Sequence, residues 1–138
     1  MSRYATCQLT ARDFVVLQNL VSSQRLGAAR LQEQMCEKLA SAVVLAPAEI
    51  PAQIVTLDSR VRFRREGRLA ETRVVSVSDD SHPLGAALSV TTPLGLALLG
   101  RRPGDKVTVQ DLHGEDTRAE VIAVIYQPEA AERRLRPA

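Results

Sequence analysis

The chain has 138 residues, 45% hydrophobic and 25% charged, with two Phe, two Tyr and no Trp, a length suited to one compact domain or a small domain with a short appendage. Its 18 basic and 16 acidic residues leave a formal charge of +2, too weak an excess to bind nucleic acid through bulk charge. The apolar runs fall far short of the roughly 20 residues of a bilayer span, and the start MSRYATCQLTAR lacks the apolar core of a signal peptide, so a soluble, cytoplasmic protein with no membrane partner is expected.

Apolar residues follow helical spacing from residue 10 to 43. Phe14, Leu17, Leu20 and Val21 share one face of a first helix. Thr10 is placed to cap it, with Asp13 in the capping-box position at the positive end of the dipole. Ser22-Ser23-Gln24-Arg25-Leu26-Gly27 breaks the pattern. A second helix then carries Ala28, Leu31, Met35, Leu39 and Ala42 on one stripe. The two form an αα-hairpin whose arms run about 20–25 Å. Cys7 and Cys36 have no metal-site spacing and read as reduced thiols.

Ala46-Pro47-Ala48-Glu49-Ile50-Pro51 is a linker whose prolines stop the second helix. It divides the chain into a helical hairpin, residues 1–46, and a second unit, residues 47–138. Beyond it the period falls to two. Arg60-Val61-Arg62-Phe63-Arg64 sets two apolar side chains against three arginines. Further strands are expected over residues 73–77, 87–91, 106–110 and 119–126, the last apolar enough to be central. One short helix interrupts them, with Thr92 as cap, Pro93 at the first helical position and Gly100 as terminator. These elements predict an α+β fold: an antiparallel sheet of about five strands with a short helix packed on it. The tail, residues 128–138, is expected to fray.

No catalytic constellation is visible. There is no phosphate-binding loop and no nucleophile elbow. His82 and His113 read as loop residues without a nucleophile to serve. Asp79-Asp80 and Asp111 with Glu115-Asp116 lack the alternating spacing of a calcium loop. No cofactor or metal is implied. The sharpest electrostatic feature is the stripe Arg60, Arg62 and Arg64, either a solvated edge-protecting face or a surface for an acidic partner. So few aromatics disfavour single-strand recognition by stacking, and direct contact with nucleic acid is expected to be weak.

The run from Leu88 through Ser-Val-Thr-Thr-Pro-Leu-Gly-Leu-Ala-Leu-Leu-Gly-Arg-Arg-Pro-Gly to Asp105, then Lys106-Val107-Thr108-Val109, resembles the C-terminal signature of the Gre transcript-cleavage factors. Val55-Thr-Leu-Asp-Ser-Arg-Val-Arg-Phe63 and Tyr126-Gln-Pro-Glu-Ala-Ala131, behind so short a hairpin, look like the Rnk proteins, named regulators of nucleoside diphosphate kinase. The resemblance implies an FKBP-like C-terminal domain behind a short antiparallel coiled coil, and bacterial RNA polymerase as the partner. Gre-type factors dock at the rim of the secondary channel, and acidic residues at their coiled-coil tip help hold a catalytic magnesium. Here the hairpin is shorter and residues 22–27 hold no carboxylate; Arg25 is the only charge, and the nearest acids are Asp13 and Glu33. An arginine repels a metal that needs hard oxygen ligands.

The expected function is therefore a non-catalytic regulator that occupies the channel rim, competes with Gre factors and does not stimulate RNA cleavage. Thr92, Pro93, Leu94 and Leu98 are the expected docking residues, with Ser23, Gln24 and Arg25 of the hairpin tip as a second contact. The alternative is a regulator of nucleoside diphosphate kinase level or activity through direct contact. A prolyl isomerase, which an FKBP-like fold suggests, needs an aromatic-lined pocket that Phe63 and Tyr126 cannot readily supply.

Overall fold

The computed structural model describes residues 7–23, 29–77, 82–83, 85–110 and 114–135. Strand β1 (Gln8–Thr10) runs straight into α1 (Ala11–Ser22). Thr10 is the turning point: its backbone is extended, and its hydroxyl accepts from the Asp13 N–H at 3.0 Å. The other half of the expected capping box is replaced. The Asp13 carboxylate accepts instead from the backbone N–H of Leu57, 44 positions away, at 3.0 Å. Of the predicted apolar face only Leu17 is fully buried, while Phe14, Leu20 and Val21 lie half-buried against the core.

Helix α2 (Ala29–Ser41) buries Leu31 and Met35. Leu39 and Ala42 pack at the edge, and Ala28 lies outside the described residues. After α2 the chain forms β2 (Val43–Leu45), which pairs in parallel with β1, Gln8 opposite Val43 and Thr10 opposite Leu45. This ribbon closes the base of the hairpin. Three-residue strands carry too little periodicity to be read from sequence, and neither was expected.

The 46–51 segment is tied down along its length. Ile50 is 1% exposed, and Ile54 and Val55 behind it are buried. The Gln127 side-chain amide donates to the carbonyls of Pro51 and Ile54 at 2.7 and 2.8 Å. Arg133 donates to those of Pro47 and Ile50. Arg133 belongs to a helix, α4 (Pro128–Leu135), in the tail expected to fray, and Gln127 immediately precedes it. Pro128 opens it, and the Gln127 carboxamide oxygen accepts from the Ala130 N–H at 3.2 Å, capping the first turn.

The main sheet comprises β3 (Arg60–Arg65), β4 (Glu71–Ser76), β5 (Ala87–Ser89), β6 (Lys106–Gln110) and β7 (Asp116–Tyr126), in the order β5-β4-β3-β7-β6. Three of its pairings are antiparallel, but β5 adds to β4 in parallel, Val74 opposite Ala87. The expected all-antiparallel sheet is thus a mixed one, with β5 running alongside β4 in the same direction from Val74–Ala87 to Ser76–Ser89. β5 also stops at Ser89 instead of reaching Thr91, since the Ser89 hydroxyl and carbonyl are engaged by Thr91 and Thr92. α3 (Pro93–Leu98) lies against the inner face. Val61, Phe63, Val75 and Val121 from the sheet, Leu96, Leu98 and Leu99 from the α3 region, and Leu17 and Met35 from the hairpin form one continuous core.

Candidate partner-docking surface

The short-helix segment is built on the Thr92 side chain. Its hydroxyl accepts from the Gly95 N–H at 3.2 Å and donates to the Ser89 carbonyl at 2.6 Å, joining the end of β5 to the start of α3. Gly95 has no room for a side chain: a Cβ there would run into the Ser89 carbonyl. Thr92 is exposed and Pro93 half-buried, as contact residues must be. Leu94 and Leu98 are not: Leu98 is 0% and Leu94 9% exposed, and both belong to the core cluster. A six-residue amphipathic helix turns its large apolar side chains to the sheet, so these two position the surface without forming it. The outward part of this segment is Thr92, Pro93 and the half-buried Ala97.

The arginine row is a separate surface. Arg60, Arg62 and Arg64 are exposed, and Val61 and Phe63 between them are fully buried. Since those two face the core that contains Leu98, the arginines lie on the opposite face of the sheet from α3. Arg64 reaches Glu120 at 3.9 Å; Arg60 and Arg62 form no ion pair among the described residues.

β7 adds something periodicity did not reveal. Its register against β3 slips between Arg60 and Val61 and again between Arg62 and Phe63. Each slip inserts an extra residue into β7. Ile122 and Ile125 fall at these irregularities and are 39% and 54% exposed, with Tyr126 at 48%. The segment expected to be a buried central strand therefore presents three apolar side chains beside the arginines. Bulge positions leave no mark in an unbroken apolar run, so no sequence signal located them.

At the hairpin tip Ser23 is exposed and its hydroxyl donates to the Leu20 carbonyl at 3.1 Å, while Gln24 and Arg25 lie outside the described residues. His82 is half-buried in the β4–β5 connection, and His113 lies outside the described residues.

Residues 50–126 match the family model described as "Transcription elongation factor, GreA/GreB, C-term". The regulator of nucleoside diphosphate kinase of Escherichia coli K12 is 39% identical over 98 residues, covering 68% of this chain and 70% of that protein. Transcription elongation factor GreA of Chlorobaculum parvum is 38% identical over 81 residues, covering 56% of this chain but only half of that factor. Among solved structures, a prokaryotic transcription elongation factor GreA/GreB from Nitrosomonas europaea superimposes with a TM-score of 0.69 at 29% identity, covering 88% of this chain and 98% of that one.

Proposed function

The chain belongs to the GreA/GreB transcription elongation factor family, on the side of the regulators of nucleoside diphosphate kinase, and from that membership we propose that it is a non-catalytic transcription regulator. In this reading it binds bacterial RNA polymerase at the secondary-channel rim and excludes Gre-type factors without stimulating RNA cleavage. The observation that carries it is the hairpin. Its arms have 12 and 13 residues, about 18–20 Å at 1.5 Å per residue, and residues 22–28 between them contain no Asp or Glu. A hairpin so short and so poor in oxygen ligands has nothing to offer a magnesium ion at a distant active site. The C-terminal unit keeps the family's strand, Thr-Pro cap and short helix, and with them a surface at Thr92 and Pro93. A protein that retains the docking unit and lacks the cleaving tip acts by occupancy, in proportion to its concentration over its Kd.

The test is binding to purified core RNA polymerase with a Gre factor as competitor and a backtracked complex as cleavage readout. Binding that the Gre factor displaces, with no RNA cleaved, is the expected result. Cleavage would overturn the hairpin argument. Absence of binding at micromolar concentrations would sink the polymerase reading and leave direct contact with nucleoside diphosphate kinase to be measured.

A further inference from the structure

The outer face of the sheet carries a charged row with no counterpart. On β3, Arg60 and Arg62 project from one side, about 7 Å apart along the strand. Paired residues on neighbouring strands share a face, and those opposite these two arginines hold no acid: Val74 and Thr72 on β4, Tyr126 and Ala123 on β7. The nearby carboxylates are engaged elsewhere. Glu71, opposite Phe63, is held by Arg65 and Arg73 at 3.4 and 2.9 Å, and Glu120 stands opposite Arg64. Arg60 and Arg62 thus stay unpaired among the described residues, as the register of both flanking strands dictates.

Beside them runs an apolar row. The two slips in register make Ile125 and Ile122 the extra residues of β7, and both are exposed together with Tyr126. β6 pairs with β7 only from residue 116 to residue 120, so no strand of the described residues borders the 121–126 end on its far side. An exposed apolar strip next to unpaired charge marks a contact surface. Nucleic acid fits it poorly: phosphates would satisfy the arginines but leave the isoleucines in water, and Tyr126 alone offers a ring for stacking. A protein segment bearing both carboxylates and aliphatic side chains satisfies both rows. The rows lie one strand spacing apart, about 4.8 Å. An extended segment turns a single row of alternate side chains to a surface, whereas a helix turns two neighbouring rows, with acids at i and i+4 about 6 Å apart along one of them. That repeat matches the spacing of the two arginines.

We propose that this face docks an acidic amphipathic helix of a partner protein, its carboxylates on Arg60 and Arg62 and its aliphatic side chains on Ile122, Ile125 and Tyr126. The arginines lie on the opposite face of the sheet from α3. The surface is therefore separate from the segment at Thr92 and Pro93, and the inference does not rest on the polymerase reading.

The test is fluorescence anisotropy of a labelled helical peptide of about 16 residues, with Glu at i and i+4 and Leu at i+3 and i+7, titrated with the full chain. The expected result is micromolar binding that weakens with salt, falls tenfold or more in the double variant Arg60→Gln/Arg62→Gln and falls severalfold in Ile125→Ser. All three side chains are exposed, so these substitutions leave the fold intact. Polymerase binding should be unchanged in the double variant; a loss there, with Pro93→Ala binding normally, would overturn the separation of the two surfaces. Equal binding of a peptide with Gln in place of Glu would overturn the charge pairing. No binding at submillimolar concentration, tighter binding of duplex DNA or RNA than of the peptide, or self-association of the chain that the double variant abolishes would each overturn the assignment to an acidic partner helix.

Discussion

The carboxylate of Asp13 on α1 accepts a hydrogen bond from the Leu57 N–H at 3.0 Å, and this contact fastens the hairpin to the sheet unit. Thr56, next to Leu57, donates its hydroxyl to Glu129 of α4 at 2.7 Å. The segment after the linker is therefore gripped by the N-terminal hairpin on one side and by the C-terminal helix on the other. A hairpin this short cannot hold itself together; its orientation, and hence where its tip points, depends on this joint.

Burial raises the Asp13 pKa from 3.8 to about 6, the nearby Glu129 charge adding to it, against the lowering effect of the Leu57 and Thr10 hydrogen bonds. The folded state then holds a proton that the unfolded chain releases between those values. The stabilisation is present in full below about pH 4 and lost as pH rises through 6, a change on the order of 3 kcal/mol. Asp13→Asn keeps an oxygen for Leu57 and does not titrate. Urea unfolding across pH 3.5–7.5 should show the variant gaining on the parent as pH rises. Parallel curves would mean that Asp13 titrates normally.

Lys38 gives the opposite window. With a folded pKa near 8 against 10.5 unfolded, the unfolded chain takes up the extra proton, so stability rises with pH between about 8 and 10.5. Lys38→Met removes the desolvated charge and keeps the bulk. At pH 7 it should be more stable by an amount on the order of 3 kcal/mol, an advantage that shrinks towards pH 10. A destabilised variant would show that the ammonium is well satisfied in the fold.

The short helix separates two kinds of residue that sequence alone placed together. Leu98 is fully buried, so Leu98→Ala should cost about 2–5 kcal/mol and affect binding only by unfolding the protein. Thr92→Ala removes the cap and should cost about 1 kcal/mol. Pro93→Ala should leave the melting temperature within about 2 °C and still weaken polymerase binding. A Pro93 variant that binds as well as the parent would remove this segment from the docking surface.

Much of this architecture was written in local pattern. The arginine alternation over residues 60–64 placed β3 and its two faces, and the Thr-Pro start gave α3, because both signals lie within a few residues. What escaped depends on distant partners. The β1–β2 ribbon exists because Gln8 and Val43 meet across the hairpin. The tail is helical because Gln127 and Arg133 find carbonyls of the 47–54 segment. The burial of Leu94 and Leu98 escaped for a related reason: the motif locates the short helix but does not say which side of its six residues faces the core. Nothing in the sequence flanking Lys38 marks it as buried, since its neighbours Cys7 and Arg101 are distant in the chain.

Gly100 supplies a last test of how the N-terminus is held. It has a φ of +87°, its N–H donates to the Val55 carbonyl at 2.8 Å, and its own carbonyl accepts from Gln8 N–H at 3.2 Å. A Cβ at this position would collide with the Cys7 sulfur and come within 3.0 Å of the Gln8 carbonyl oxygen. Gly100→Ala therefore meets both a left-handed backbone penalty, about 1–2 kcal/mol, and a clash that pushes β1 away. The Cys7 thiol, which donates weakly to the Leu99 carbonyl at 3.7 Å, would be exposed as the strand shifts. The variant should lose several kcal/mol of stability, and Cys7 should react with a thiol reagent much faster than in the parent. A compound Cys36→Ser background isolates that signal, because Cys36 is already exposed. Unchanged Cys7 labelling would mean that β1 stays docked without the Gly100 turn, and that its pairing with β2 is enough to hold it.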